Sequence, residues 1–172
     1  FAKNYNKSYE ADISLTRKYC IDHIKEIKEY DLRKWYFDIE TQVGGVHDKA
    51  ITSICVYDSF HEEYETMFWL PDKEWDDDHF ESEKELLEYF LEKIQVEDPD
   101  MIIGWFLLGY DIPYILKRLV VNGLNPRKLS PLNDVKGVTH NSIKNVKYFN
   151  TSQPIRGRIT YCLMTTFERL WI

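Results

Sequence analysis

The chain has 172 residues, 15% of them aromatic and 30% charged, and a net charge of −7; this suits a folded domain with a sizeable core and excludes a disordered or fibrous chain. No apolar run approaches the ~18–20 residues of a membrane span, and Phe1 is followed by no secretory leader pattern. Charge is uneven. Residues 1–100 hold 12 Lys/Arg against 26 Asp/Glu, while residues 101–172 hold 10 against 3. The basic half suits a polyanionic partner on one side, or is a dipolar surface without one. Cys20, Cys55 and Cys162 show no C-x-x-C spacing and the five histidines no H-E-x-x-H. Neither zinc nor a disulfide framework is signalled, and a reducing, intracellular setting is expected.

In chain order, residues 1–33 are polar and helix-compatible around "SLTRKYCIDHIKEIKEY" and read as a lead-in from a preceding domain. Strands are predicted at "KWYFDIE" (34–40), "AITSICVYDS" (50–59) and "EYETMFWLP" (63–71), with turns at Gly44-Gly45 and "SFHEE". The acidic run "DKEWDDDHF" lacks EF-hand spacing and reads as a solvated loop. Ser82 and Glu85 form a capping box for a helix with Leu86, Leu87, Phe90, Leu91 and Ile94 on one stripe. "MIIGWF" (101–106) reads as a short buried strand. Asp111 then caps a second helix carrying Ile112, Ile115, Leu116, Leu119 and Val120, with Gly123 as its stop. Val135 to Met164, with "GVTH", "NVKYFN" and "GRITYCLM", is expected to be a β-hairpin insertion near the C-terminus.

This order defines an α/β class with a mixed sheet flanked by helices, as in ribonuclease-H-like folds. Alternation along the first strand sends Asp38 and Glu40 to one face and Trp35, Phe37 and Ile39 to the other. Two adjacent carboxylates repel, so basic partners or bound cations should compensate them.

The motifs resemble a known family. "YFDIET" (36–41) is similar to the first exonuclease motif of family B DNA polymerases, and "DPDMIIGWFLLGYDIPYILKRL" (98–119) to the second. "YEADISLTRKYCID" (9–22) resembles the segment leading out of that family's N-terminal domain, and "IRGRITYCLM" (155–164) the G-R strand of its exonuclease hairpin. The resemblance implies that residues 1–33 are the tail of an N-terminal domain. Residues 34–172 would then be most of a 3′-to-5′ proofreading exonuclease domain, incomplete at its C-terminus.

It further implies Asp38, Glu40 and Asp111 as catalytic residues and ligands of two divalent ions, Mg²⁺ or Mn²⁺, facing the scissile phosphate of a single-stranded 3′ primer end. Hard cations suit an all-oxygen set. The expected partners are DNA and the remainder of a polymerase chain acting in replication, with no membrane. Lys117, Arg118, Arg156 and Arg158, with Arg127 and Lys128, are candidate phosphate contacts. Phe106 and Tyr110, with Trp105 and Tyr148, are candidate stacking residues.

Phe106 stands where the family usually has Asn, and Cys162 where its G-R strand usually has Asp. The third motif, Y-x-x-x-D, does not occur in these 172 residues and is expected beyond Ile172. The isolated chain is therefore expected to be weakly active or inactive. The alternative is a catalytically silent ribonuclease-H-like module that binds nucleic acid or serves a structural role.

Overall fold

The computed structural model describes residues 13–26, 28–43, 49–70, 79–139, 142–143 and 153–171. Outside them lie residues 9–12 of the lead-in motif, most of the acidic loop at 72–80, the "NVKYFN" strand expectation and Tyr148. The chain divides into two compact units, residues 1–31 and 32–172. The first contains α1 (Leu15–His23), where the Ser14 hydroxyl accepts the Arg17 N–H at 3.3 Å; α1 buries none of its residues.

The second unit is built on a five-stranded mixed sheet, in the ribonuclease-H-like arrangement expected from the order of elements. Its strands are β1 (Lys34–Thr41), β2 (Ile51–Asp58), β3 (Glu63–Phe68), β4 (Met101–Gly104) and, later in the chain, β7 (Ile159–Cys162). Their order across the sheet is β3-β2-β1-β4-β7. β1–β2 and β2–β3 are antiparallel; β1–β4 and β4–β7 are parallel.

Between β3 and β4 runs α2 (Glu83–Glu97), with Ser82 accepting the Glu85 N–H at 3.2 Å. This helix stops at Asp98, whose φ of 47° is a left-handed ending seldom taken by residues other than Gly and Asn. After β4 comes α3 (Asp111–Val121), which Gly123 at φ 72° follows. Trp35, Phe37 and Ile39 of β1 pack into one core with Leu86, Leu87, Phe90 and Ile94 of α2 and with Ile112, Ile115, Leu116 and Leu119 of α3. Both helices thus bury the apolar stripes that their sequences present, except that Val120 at the end of the α3 stripe is only half-buried.

Three expectations change. "GRITYCLM" is not part of a hairpin: its strand is β7, the sheet edge parallel to β4, paired through Met101–Ile159 and Gly104–Cys162. The described remnant of the expected insertion is the two-residue pair β5 (Val138–Thr139) and β6 (Ser142–Ile143). Trp105 and Phe106 lie beyond the end of β4 at Gly104, so Trp105 is 57% exposed rather than buried in a strand. Past β7 the chain forms an unanticipated helix, α4 (Leu163–Trp171).

Two of the arginines assigned to phosphate contact belong to the core. Arg118 is buried and its guanidinium donates to both oxygens of Glu83, Nε–Oε1 being 2.7 Å; Glu83 also accepts from the Ile51 N–H at 2.8 Å and from Asn122. Burial works to raise the Glu83 pKa, but these hydrogen bonds outweigh it and the net shift is downward. Arg158 is 4% exposed and donates to the carbonyls of Leu129, Pro99 and Ile94 and to Asp98, tying β7 to the end of α2. A guanidinium spent inside the fold has no free face for a phosphate.

Breaking a buried ion pair from one side leaves an uncompensated charge, at a cost of about 3–5 kcal/mol. Arg118→Ala is therefore expected to lower the free energy of urea unfolding by about that much, and Lys117→Ala, at the exposed neighbouring position, by less than about 0.5 kcal/mol. Equal midpoints for the two variants would contradict the assignment of Arg118 to the core.

Candidate active site

The site lies where β1 outruns its parallel neighbour. Register pairs Tyr36 with Ile103, and β4 stops one residue later at Gly104. Strand β1 continues to Thr41, so among the described residues its last positions have no strand beside them on that edge. Gly104 is required by this close packing: a Cβ there would stand 2.9 Å from the Phe37 carbonyl oxygen and 3.1 Å from Leu107 Cδ1.

Along β1 exposed and buried residues alternate, with Tyr36, Asp38 and Glu40 outward and Trp35, Phe37 and Ile39 inward. Asp38 and Glu40 therefore share the solvent-facing side of the strand, as the period-two reading requires. Opposite them on β2 are Cys55 and Ser53. Asp38 closes one end of a hollow on the open sheet face that also takes in Tyr36, Cys55, Tyr57 and Tyr64.

Asp111 follows the end of β4 in the chain. The turn from Trp105 to Tyr110 is tight. Tyr110 N–H donates to the Phe106 carbonyl at 2.8 Å, and a Cβ on Gly109 would meet the Phe106 ring at 2.2 Å. Phe106 is thus committed to packing on the glycine that precedes Tyr110. The sequence suggested Asp111 as the helix cap, but the cap position belongs to Tyr110, which makes no side-chain cap bond. Asp111 is the first helical residue, and its carboxyl turns to β1 instead.

Asp111 is 3% exposed. Burial, then the charge of Asp38, push its pKa up from 3.8 to about 6; its own N–H and that of Ile39 donate to it and pull the other way. The Ile39 N–H is a group that β4, had it continued, would have been placed to engage. Asp38 and Asp111, 73 residues apart in sequence, are thereby brought within each other's electrostatic reach. Glu40 stays exposed on the same strand face.

The described residues whose ligand atoms already converge within 4.8 Å are a different set, Asp58, His61 and Glu97. They sit at the opposite end of β1, since Asp58 pairs with Trp35. The Arg33 side chain occupies that convergence: its guanidinium donates to Asp58 and Glu97 and meets His61 Nδ1 at 3.0 Å. Burial opposes ionisation of Asp58, but the hydrogen bonds from Arg33, the Phe60 N–H and His61 hold it at about 2. A fixed cation already sits between these acids, whereas among the described residues no basic group offsets the charge of Asp111.

Of the remaining candidates, Lys117 and Arg156 are exposed, Arg156 facing Asp134 at 3.7 Å. Phe106 and Tyr110 are half-buried, and the Tyr110 hydroxyl lies 3.2 Å from Thr41 Oγ1. Sequence reasoning passed over Thr41 and Tyr114 of this region. "DIET" and "YDIPY" place them next to the acids, but only the packing shows their hydroxyls meeting.

A five-stranded mixed sheet flanked by helices, with acids at the end of its central strand, defines an α/β domain of the ribonuclease-H-like class. The chain matches the family model described as "DNA polymerase family B, exonuclease domain" over residues 6–169, and it belongs to that family. It is 29% identical to a DNA polymerase of Pyrococcus glycovorans, covering 95% of this chain and 22% of that protein. It is 35% identical to the DNA polymerase delta catalytic subunit of Plasmodium falciparum over 52% of this chain and 9% of that one. A DNA polymerase of Thermococcus litoralis is 30% identical over 64% of this chain and 7% of its own length. The chain thus spans about a fifth or less of the relatives it matches.

The raised Asp111 pKa fixes a sign. The folded state holds this proton more tightly than the unfolded chain, so the group's contribution to stability declines as pH rises from about 4 to about 6 and is unfavourable above that. Asp111→Asn is expected to stabilise the metal-free protein at pH 7.5 by about 1–3 kcal/mol in urea melts. It is also expected to remove that part of the pH dependence. A destabilised variant would show that Asp111 is not under strain.

Proposed function

We propose that this chain is the exonuclease portion of a family B DNA polymerase and hydrolyses the 3′-terminal phosphodiester of single-stranded DNA, as in proofreading during replication. Residues 1–33 are then the tail of the preceding domain and residues 34–172 the exonuclease domain, continued by the rest of a polymerase chain. The observation that carries this reading is the buried Asp111 carboxyl, held to the overhang of β1 beside Asp38 and driven up to about 6. Such repulsion is what a divalent cation relieves, and a donor set of oxygens alone matches Mg²⁺ or Mn²⁺.

Asp38, Glu40 and Asp111 would hold the metal. Two divalent ions bound there supply Lewis-acid stabilisation of the charge that develops on the attacking and departing oxygens. The chain's own part is placement. Strand β1 presents Asp38 and Glu40 to solvent on one face, and the Ile39 N–H fixes the orientation of Asp111. Lys117 and Arg156 remain as phosphate contacts, and Tyr110, Trp105 and Phe106 as surfaces for unpaired bases. The exposure of Lys117, Arg156 and Trp105 supports their share of this role.

A silent nucleic-acid-binding module is the second reading. It draws on Phe106, whose ring is packed onto Gly109 and offers no amide to a strand, and on Cys162, whose thiol donates to the Trp105 carbonyl at 3.3 Å. Calorimetric titration with Mn²⁺ separates the two. The exonuclease reading expects saturable binding that falls at least tenfold in Asp38→Ala. Absence of binding at millimolar Mn²⁺ would favour the silent module.

Binding to a single-stranded oligonucleotide is expected to weaken steeply between 50 and 200 mM salt. Each neutralised phosphate contributes about 0.7 to the slope of log affinity on log salt. Lys117→Ala and Arg156→Ala are each expected to reduce that slope by about this amount. Slopes identical to that of the unaltered chain would remove these two residues from the interface.

A further inference from the structure

Four hydrogen-bonding groups run in series past the carboxylates. The Tyr110 hydroxyl is 3.2 Å from Thr41 Oγ1. Thr41 in turn hydrogen-bonds Tyr114, and the Tyr114 hydroxyl donates to the Lys49 carbonyl at 2.8 Å. Tyr114 has one O–H, and it is spent on Lys49, so toward Thr41 its oxygen accepts. Thr41 has one O–H as well and gives it to Tyr114, which leaves its oxygen to accept from Tyr110. The donors therefore line up in one direction: Tyr110 to Thr41, Thr41 to Tyr114, Tyr114 to the carbonyl of Lys49. Chains of this kind polarise and reinforce their members.

Their position matters more than their energy. Thr41 directly follows Glu40, at the point where the β1–β2 register shifts: Glu40 faces Ser53 but Thr41 faces Ile51. A register shift leaves strand geometry less constrained at that point. Tyr110 and Tyr114 lie on either side of Asp111 in the sequence, Tyr110 at the cap position of the helix that carries it and Tyr114 within that helix. Glu40 is thus bracketed. On one side the Ile39 N–H donates to Asp111, and on the other the Thr41 hydroxyl is locked to α3. Tyr114 is 1% exposed and its ring lies 5.3 Å from that of Tyr110, so the α3 end of the staple is itself fixed by packing.

We infer that Thr41 is a positioning residue of the carboxylate site, its hydroxyl stapling the end of β1 to α3 so that Glu40 and Asp111 keep a set separation. This rests on the proposal that these acids bind a divalent cation together. Groups that orient ligands without touching the metal typically matter by 10–100-fold in metal affinity.

The test is Mn²⁺ titration of the whole chain, by calorimetry and by the electron paramagnetic resonance signal of free Mn²⁺, for the unaltered protein, Thr41→Val, Thr41→Ser and Tyr110→Phe. Thr41→Val keeps shape and loses the hydroxyl; Thr41→Ser keeps the hydroxyl. The expected result is about tenfold weaker Mn²⁺ binding in Thr41→Val, a smaller loss in Tyr110→Phe, and recovery to within about twofold in Thr41→Ser. Thr41→Val binding as tightly as the unaltered chain overturns the positioning role while leaving the metal site standing. No binding by the unaltered chain removes the metal site, and this inference with it. Should Thr41→Val fail to give a cooperative melt, the comparison of Thr41→Ser with Tyr110→Phe decides: equal affinity in those two overturns the staple.

Discussion

The N–H of Ile39 is left over when β4 ends before β1 does, and a buried backbone donor must find an acceptor. It finds the carboxyl of Asp111. That contact joins the edge of a central strand to the start of the next helix, and it draws an acid into a buried place beside Asp38. The overhang exists because the crossover through α2 returns β4 parallel to β1 but lets it run for only four residues. The turn at Gly104 to Gly109 then leads the chain into α3, which shares the core with β1. Each step follows from the sheet order, and the convergence of charge follows from the steps.

The two acidic clusters on β1 are a useful contrast. At the strand's start, Asp58 and Glu97 share the Arg33 guanidinium, which with the Phe60 N–H and His61 holds Asp58 at about 2. At its end, burial and Asp38 push Asp111 the other way, to about 6. One cluster contributes to the fold, Asp58 favouring the folded state above the ordinary carboxylate range. The other opposes the fold at neutral pH, as burial beside a like charge does. The tighter geometry belongs to the cluster that already contains a guanidinium, so proximity of ligand atoms and lack of a basic neighbour point to opposite ends of the strand.

Arginine placement shows a similar division. Arg118 and Arg158 sit in a half of the sequence rich in basic residues, yet both are internal, one facing Glu83 and the other three backbone carbonyls and Asp98. Arginine suits such work because its planar, always charged fork can satisfy several acceptors at once. A basic composition therefore overstates the surface left for a polyanion. Lys117 and Arg156 keep their exposure.

Much was legible from residue order. Period-two alternation in "KWYFDIE" assigns the faces of β1, the S-x-x-E box starts α2, and the apolar stripes of α2 and α3 match the residues that fill the core. These features depend on neighbours within a few positions, and local geometry repeats wherever the pattern does. The placement of β7 in the main sheet, the burial of Arg118 and Arg158, the N–H of Ile39 given to Asp111, and the series from Tyr110 through Thr41 and Tyr114 to Lys49 were not legible. Each depends on where one strand stops relative to another, or on which buried donor lacks a partner. Sequence alone determined which residues could form strands, helices and an acidic pair. Only the tertiary structure decided which charges are balanced from within and which are not, because desolvation and hydrogen-bond pairing are properties of three-dimensional neighbours.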